Sequence, residues 1–250
     1  MSLHALPLEA RPLLVQVGAN EHVSHHDPAV GAIARGWRAV LLEPMPAFAA
    51  TLKLKYATEI ASRGVRVVDA AVCDSKCRDT TRTVYYFDHN GTRNLGSNSS
   101  DPRCAPSWLN ELSSFSRHHV LSHQARMRVA PKVCTACAAK LRRPLPMSCL
   151  SRILLDNLAQ STVRCMCLQQ LLSKHERYVA LLMIDAQGHD AQILAAFPFD
   201  RVAVDRVVYE PSLLSRADQE MARRLLAKHG FVRLGEDWSM SVWQHVGQHV

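Results

Sequence analysis

Residues 13–22, Leu-Leu-Val-Gln-Val-Gly-Ala-Asn-Glu-His, decide the fold that the sequence predicts. Five residues with strand character, Leu13–Val17, run directly into the small residues Gly18 and Ala19. An apolar run of this length that stops at a glycine turn is typical of a buried parallel strand. A turn of small residues after such a strand lets backbone N–H groups approach a ligand closely. We therefore expect the first strand of an α/β sheet here, with a ligand-binding turn at its end.

Alternating helix and strand patterns follow this turn. Asp27 is a suitable N-cap and Pro28 a suitable first residue for a helix, and Gly36 ends that pattern. The expected elements are a helix at 30–35, a strand at 38–44, a helix at 47–61 and a strand at 65–72. This β-α-β-α-β order predicts a parallel sheet with right-handed crossovers.

The second half of the chain returns to the same alternation after an irregular middle. The middle is expected to hold a strand at 81–87, a loop at 91–107, a helix within 108–123, a strand at 161–167 and a helix at 168–175. The later elements are a very apolar strand at 178–185, a helix at 188–196, a strand at 202–210, a helix at 216–229 and strands at 231–234 and 240–243. We expect a Rossmann-like doubly wound α/β sheet, mostly parallel with an antiparallel C-terminal strand. It would form a single domain over 1–250, with a basic, cysteine-containing insert at 104–160.

Three of the predicted buried strands end in an acidic residue, and a fourth ends in Gly18. The acids are Glu43, Asp185 and Glu210. The carboxyl ends of parallel strands line one crevice, in which ligands bind. Glu43 lies about 25 residues after Gly18, where an α/β nucleotide-binding unit places the carboxylate that accepts ribose hydroxyls. The alternative for Glu43 is a surface residue in a turn before Pro44.

The basic residues of the chain are concentrated in one segment. The net charge is +8, and from Leu112 to Leu155 there are eight Lys and Arg residues and no Asp or Glu. Such a patch suits phosphate, nucleic acid or an anionic membrane surface, and a solvated basic loop is the alternative. No run of 18 apolar residues is present, so no membrane span is expected. The N-terminal residues lack the pattern of a secretory signal, which favours a cytoplasmic location.

All eight cysteines lie between residues 73 and 167. Without a secretory signal, free thiols are the default expectation. Cys134 and Cys137 form a CxxC pair that, with Cys104 and Cys149, has the residue types of a four-thiolate zinc site. The irregular spacing of the last two leaves zinc, a disulfide and free thiols open.

Five segments, in this order along the chain, resemble the FkbM-type methyltransferase family. They are Gln16–Glu21, Asp27-Pro28, Gly36–Pro44, Ala70–Val72 and Ile184–Asp190. The resemblance covers nearly the whole chain apart from roughly 125–160. It implies the class I methyltransferase fold, with S-adenosyl-L-methionine as cofactor and S-adenosyl-L-homocysteine as product.

The resemblance also implies a role for each matched position. Gly18, Ala19 and Asn20 would lie against the methionine part of the cofactor, Glu43 would hold the ribose, Ala70 and Ala71 would lie near the adenine, and Asp185 would face the reaction centre. The sequence departs from the family at two places. After Gly-Ala the family usually has Asn-Asp-Gly or a similar triplet, whereas this sequence has Asn20-Glu21-His22. The family's Asp-x-Glu-Gly-x-Glu corresponds here to Asp185–Asp190, with Gln187 in place of the first Glu. Gln187 keeps hydrogen bonding but removes a charge and a potential base.

The expected chemistry is methyl transfer from a sulfonium to a hydroxyl of a small molecule or sugar. Holding donor and acceptor in line supplies most of the acceleration, and a base helps because a hydroxyl is a poor nucleophile. Asp185, His189 and His26 are the candidate bases, although His25 and His26 also fit a loop without a role. A divalent metal at Asp185 and Asp190 is possible in chemical terms, but we predict none.

Other functions remain open from the sequence. A binding or regulatory protein could keep the fold and the cofactor with weakened chemistry, which Gln187 and the basic insert favour. An RNA-directed methyltransferase would use residues 112–155, but that segment has a single aromatic residue, Phe115, and base stacking needs aromatics. A nicotinamide-dependent dehydrogenase is disfavoured because the first turn lacks two glycines of GxGxxG. The methyl acceptor and the oligomeric state are not readable from this sequence.

Overall fold

The computed structural model describes residues 3, 6–21, 27–62, 64–73, 80–87, 112–126, 135, 138–139, 155, 158–172, 176–237 and 240–247. In chain order, the strands are β1 (Leu13–Val17), β2 (Arg38–Leu42), β3 (Val65–Val68), β4 (Ala71–Val72), β5 (Thr80–Phe87), β6 (Ser113–Ser114), β7 (Leu158–Met166), β8 (Tyr178–Ile184), β9 (Ala203–Tyr209), β10 (Phe231–Asp237) and β11 (Met240–His245). The helices are α1 (Pro28–Ala34), α2 (Pro46–Lys55), α3 (Ala57–Ala61), α4 (Arg117–Arg126), α5 (Leu168–Leu171), α6 (Asp190–Ala196) and α7 (Arg216–Lys228). A short 3-10 helix (Leu8–Ala10) precedes β1.

The chain divides into two compact units, residues 1–81 with 163–250, and residues 82–162. The first unit, called the main unit below, holds a seven-stranded sheet in the order β3-β2-β1-β8-β9-β11-β10. Neighbouring strands from β3 to β9 are parallel, and β11 is antiparallel to both β9 and β10. The predicted mixed α/β fold, mostly parallel with an antiparallel C-terminal strand, is therefore confirmed.

Helices cover both faces of this sheet, as parallel strands require. Successive residues of β1 belong to two different apolar clusters, one on each face of the sheet: Val15 and Val17 lie in the first and Leu14 in the second. Helices α6 and α7 contribute to the first cluster through residues such as Ile193 and Leu226. Helices α1 and α2 contribute to the second through residues such as Ile33 and Leu52. The doubly wound arrangement follows from the apolar runs that the sequence shows.

Two elements that the sequence predicts as continuous are each divided in the structure. The strand predicted at 65–72 leaves the main sheet after Val68, and β4 pairs instead with the end of β7, Ala71 opposite Cys165 and Val72 opposite Met166. Asp69, which interrupts the apolar residues of this run between β3 and β4, was the available sign of the break. The helix predicted at 47–61 is two helices, which meet at Tyr56, where the backbone leaves helical values (φ −106°, ψ 27°).

The second unit contains β6, α4 and nearly all of β5. Strands β5 and β6 pair antiparallel, Tyr85 opposite Ser114 and Tyr86 opposite Ser113. Arg82 lies over the ring of Phe115, 5.5 Å from its centroid. Most of the insert predicted at 104–160 lies outside the described residues, so its boundaries stay a prediction.

Candidate functional site

The carboxyl ends of β1, β2 and β8 are tied together by backbone hydrogen bonds. The N–H groups of Gly18 and Ala19 both donate to the carbonyl of Leu42 at 3.0 Å. The N–H of Asp185 donates to the carbonyl of Val17 at 2.9 Å. These bonds bring the glycine turn, Glu43 and Asp185 to one edge of the sheet, as the strand pattern predicted. They also correct one expectation: the N–H groups of Gly18 and Ala19 point at a carbonyl of β2 and are not directed at a ligand.

Glycine is required at position 18 by both conformation and space. Its φ is +79°, in the left-handed region that favours glycine. A Cβ built there would lie 1.9 Å from the carbonyl oxygen of Asp185. The missing side chain therefore allows the turn after β1 to lie against the end of β8.

Glu43 is a buried carboxylate, with 3% of its surface exposed. Its Oε2 accepts the N–H of Asn20 and its Oε1 accepts the N–H of Met45, both at 2.8 Å. Burial raises the pKa of Glu43 from 4.5 to about 7, against the two backbone N–H bonds that lower it, and Asp185 raises it further by charge repulsion. Glu43 thus links the turn after β1 to the start of α2. The surface alternative for this residue is wrong.

Asn20 makes the glycine turn compatible with the Glu43 side chain. It has a φ of +50°, which Asn tolerates better than most residues. This conformation directs its N–H to Glu43, while its Oδ1 accepts the N–H of Glu21 at 2.8 Å.

Asp185 follows β8 and is half-buried. The Nε2 of Gln187 donates to its Oδ1 at 2.9 Å. A glutamate at position 187 would place a second negative charge beside Asp185, whereas the amide supplies a donor. Gln187 (φ +49°) and Gly188 (φ +93°) are both left-handed, so α6 begins only at Asp190 and not at the predicted residue 188.

Asp190 has no exposed surface. Its Oδ2 accepts the N–H of Ala186 and its Oδ1 accepts the N–H of Glu210, both at 3.3 Å. Burial, and then the nearby charges of Asp185 and Glu210, raise the pKa of Asp190 well above its ordinary value. The sequence suggested Asp190 only as a metal ligand, but its oxygens join the loops that follow β8 and β9. Among the described residues, no group of three His, Cys, Asp or Glu side chains is placed to hold a metal ion.

Glu210 follows β9 at the same edge of the sheet, as predicted. Its Oε1 accepts the hydroxyl of Ser212 at 2.7 Å. All three acids expected at strand ends therefore lie at one edge, with Asp190 as an unexpected fourth.

His189 and the two predicted adenine residues lie near a disulfide. The Nε2 of His189 is 3.4 Å from the carbonyl oxygen of Cys73, to which it donates when that nitrogen carries the proton. Ala70 and Ala71 are 0% and 8% exposed, so their side chains present almost no surface to a ligand. Their role near an adenine remains a prediction. His25 and His26 lie outside the described residues.

The expectation of free thiols is wrong for the cysteines that the structure describes. Cys73 and Cys165 form a disulfide with a Cα–Cα distance of 5.4 Å, and Cys167 is also disulfide-bonded. Cys104, Cys134, Cys137 and Cys149 lie outside the described residues. Disulfides are typical of proteins in oxidising compartments, so the predicted cytoplasmic location is not supported by these bonds. No helix among the described residues is long and apolar enough to span a membrane.

A polar contact that the sequence did not predict joins Gln16 of β1 to Asp27. Gln16 is 2% exposed, and its Nε2 donates to Oδ2 of Asp27 at 3.0 Å. The other oxygen of Asp27 accepts the N–H of Ala29 at 2.8 Å, which confirms Asp27 as the N-cap of α1. A glutamine inside an otherwise apolar strand was the available signal, because a buried amide needs a partner.

No protein-family model and no curated protein matches the sequence, so the FkbM-type family is not confirmed. Three solved structures are similar over 98% of this chain. The N-terminal domain of human METTL16 in complex with SAH is 9% identical with a TM-score of 0.38, and this chain spans 65% of its length. A human methyltransferase 10 domain containing protein is 8% identical, with a TM-score of 0.40 and 76% of its length covered. The delta-N METTL16 MTase domain is 9% identical, with a TM-score of 0.37 and 78% of its length covered. A likeness at this level decides neither the family nor the activity of this chain.

Proposed function

We propose that the protein is an S-adenosyl-L-methionine-dependent methyltransferase that transfers a methyl group to a hydroxyl of a small molecule or sugar. The observation that carries the proposal is the Glu43 carboxylate. It lies at the end of β2, beside the glycine turn and Asp185, in the position that a ribose-binding acid takes in a parallel α/β sheet.

The chemistry of Glu43 fits a ribose. An ionised carboxylate offers about four lone-pair positions. The backbone N–H groups of Asn20 and Met45 occupy one on each oxygen. The pKa of Glu43 is raised to about 7 by burial despite these two bonds, so the charge is incompletely compensated. Two vicinal hydroxyls donating to the remaining lone pairs would supply that compensation.

The other residues at this edge have roles that follow from their surroundings. Bound S-adenosyl-L-methionine would supply a methyl group on a sulfonium, with S-adenosyl-L-homocysteine as the product. The small turn of Gly18, Ala19 and Asn20 would leave room for the methionine part of the cofactor, which would lie against it. The three N–H groups would not bind the cofactor, because they already donate to Leu42 and Glu43. Asp185, held by the Gln187 amide, would take the proton of the acceptor hydroxyl, with His189 as the second candidate base.

Two alternatives from the sequence stay predictions. One is a cofactor-binding regulatory protein with weakened chemistry. The other is an RNA-directed methyltransferase that uses residues 112–155. The first would bind the cofactor without transferring a methyl group, and the second would release co-purified RNA steeply with salt.

Calorimetric titration with S-adenosyl-L-methionine tests the proposal. Glu43→Gln should weaken binding about 10–100-fold, because a charge-assisted hydrogen bond contributes about 1.5–3 kcal/mol. The matched control is Glu176→Gln, since Glu176 pairs with Arg38 at 3.2 Å at the opposite end of the strands. Circular dichroism establishes that each variant is folded. Binding that is equal in wild type and Glu43→Gln would contradict the ribose role, and a folded wild type that does not bind would contradict the cofactor.

A further inference from the structure

The Cys73–Cys165 disulfide lies beside the candidate site and is itself buried. Cys73 is 9% and Cys165 is 1% exposed. Cys73 directly follows β4, and Cys165 lies near the end of β7, 92 residues later in the chain. The backbone carbonyl oxygen of Cys73 lies 3.4 Å from Nε2 of His189.

Among the described residues, few backbone hydrogen bonds hold the segment that carries Cys73. Strand β4 has two residues, and each is paired with one residue of β7. The N–H of Cys73 adds a longer bond, 3.3 Å, to the carbonyl of Met166. Two-residue pairing is weak by itself, whereas a covalent link over a loop of this length removes much of the freedom of the unlinked chain. The end of β7 is itself restrained, because Cys167 is also disulfide-bonded.

His189 has no regular secondary structure of its own to orient its ring. It is the residue before α6, and it follows the left-handed pair Gln187 and Gly188. The direction of its imidazole therefore depends on what the ring contacts. A hydrogen bond from Nε2 to a carbonyl selects both the ring orientation and the tautomer.

We propose that the Cys73–Cys165 disulfide is a positioning element for His189, because it fixes the carbonyl that binds the imidazole. Cys73 and Cys165 act only through His189 and touch no reacting group. The inference rests on the proposed function insofar as that function gives His189 a role. The placement of the ring itself can be measured without any ligand.

Imidazole NMR signals of His189 test the proposal, with the assignment made from a His189→Gln variant. The disulfide-free pair Cys73→Ser with Cys165→Ser should shift these signals. In this variant the Nε2 proton of His189 should also exchange with water about five- to tenfold faster, because the loss of one ordinary hydrogen bond changes an equilibrium by about that factor. The matched control is Tyr178→Phe, which removes the hydrogen bond from Tyr178 to Asp205 at the other end of β8 and should leave the His189 signals unchanged.

A cycle of unfolding measurements isolates the coupling between His189 and the disulfide from general support of the fold. The free energy of unfolding is measured by urea denaturation in wild type, His189→Ala, the serine pair and the triple variant. If the disulfide acts through His189, the two changes are non-additive and His189→Ala has no further effect once the disulfide is absent. If the serine pair does not fold, Cys73→Val with Cys165→Ala replaces the buried disulfide by apolar side chains and is measured in the same way.

Unchanged His189 signals in a folded disulfide-free variant would overturn the proposal, and so would additive effects in the cycle. Failure of the proposed function gives a different result. The wild type would then not bind S-adenosyl-L-methionine at all, while the NMR comparison would still report whether the disulfide orients His189.

Discussion

Glu43 and Asp190 are two buried carboxylates at the same edge of one sheet, and each accepts two backbone N–H bonds. The bonds to Glu43 are 2.8 Å and come from the turn after β1 and the residue before α2. The bonds to Asp190 are 3.3 Å and come from the residues that follow β8 and β9. Burial raises the pKa of both, and the charge of Asp185 raises each of them further.

The difference shows how the same side-chain chemistry serves two purposes. Asp190 has no exposed surface, so its contribution is to hold two strand ends together. Glu43 retains a small exposed area, 3% of its surface, and accepts the N–H of Asn20 in the turn where we propose that the cofactor binds. A change at Asp190 should therefore appear mainly in stability. A change at Glu43 should appear mainly in ligand binding and in the dependence on pH.

The largest expected effect comes from Gly18→Ala, which would push the turn after β1 away from the end of β8 at the edge of the sheet where both carboxylates lie. The new Cβ would lie 1.9 Å from a backbone oxygen of Asp185, at a φ of +79°. We expect a loss of about 5 kcal/mol in the free energy of unfolding, measured by urea denaturation. The matched control is Gly235→Ala, where nothing lies within 4 Å of the added Cβ. Similar losses in the two variants would contradict the close contact of β1 and β8.

Asp190→Ala should have the next largest effect, about 4 kcal/mol, because it leaves two buried N–H groups without an acceptor and opens a cavity. Urea denaturation measures this loss. Asp190→Asn, which keeps the volume and one acceptor oxygen, should cost clearly less. Asp69→Ala is the control, since Asp69 forms an exposed pair with Lys53 at 2.6 Å, and loss of such a pair costs at most about 1 kcal/mol. A loss at Asp190→Ala no greater than that of the control would show that Asp190 does not join the strand ends.

The smallest of the three effects is the pH dependence that Glu43 contributes. Its pKa in the folded protein, about 7, is above the 4.5 of an ordinary Glu. The folded state therefore binds the proton more tightly than the unfolded state between these values. Its contribution is fully present below pH 4.5 and is lost as the pH rises to about 7, by about 3 kcal/mol in all.

Thermal denaturation of wild type and Glu43→Gln across this range checks the sign. The stability of wild type relative to Glu43→Gln should fall as the pH rises, and a constant difference would contradict the raised pKa. Cofactor binding should have the opposite dependence, because ribose hydroxyls donate to the ionised carboxylate. Calorimetry near pH 6.5, in two buffers of different ionisation enthalpy, should therefore detect a proton released on binding.

Particular residues show why some features of the site were predictable and others were not. Gly18, Glu43, Asp185 and Glu210 were placed correctly because each ends an apolar run, and parallel strands bring such ends to one edge. The pairing of β4 with β7 was not predicted, since Asp69 can mark a break in the run from 65 to 72 but does not show which strand the chain pairs with after it. The sequence predicts that Asp190 lies close to Asp185, but it does not show that the N–H groups of Ala186 and Glu210, which follow two different strands, both donate to Asp190. The cysteines could be counted but not paired, because pairing depends on which Cα atoms the fold brings within reach.

The sequence alone determined the doubly wound α/β fold, the edge of the sheet where the acids collect and the need for a small residue after β1. These follow from apolar periodicity and from local turn chemistry, which depend on neighbours in the chain. Only the tertiary structure decided which backbone N–H groups donate to Glu43 and Asp190. It also decided that Cys73 is bonded to Cys165, and that the backbone carbonyl of Cys73 lies within hydrogen-bond distance of His189. These contacts join residues up to 116 positions apart, and the distance between such residues is fixed by packing and not by local sequence.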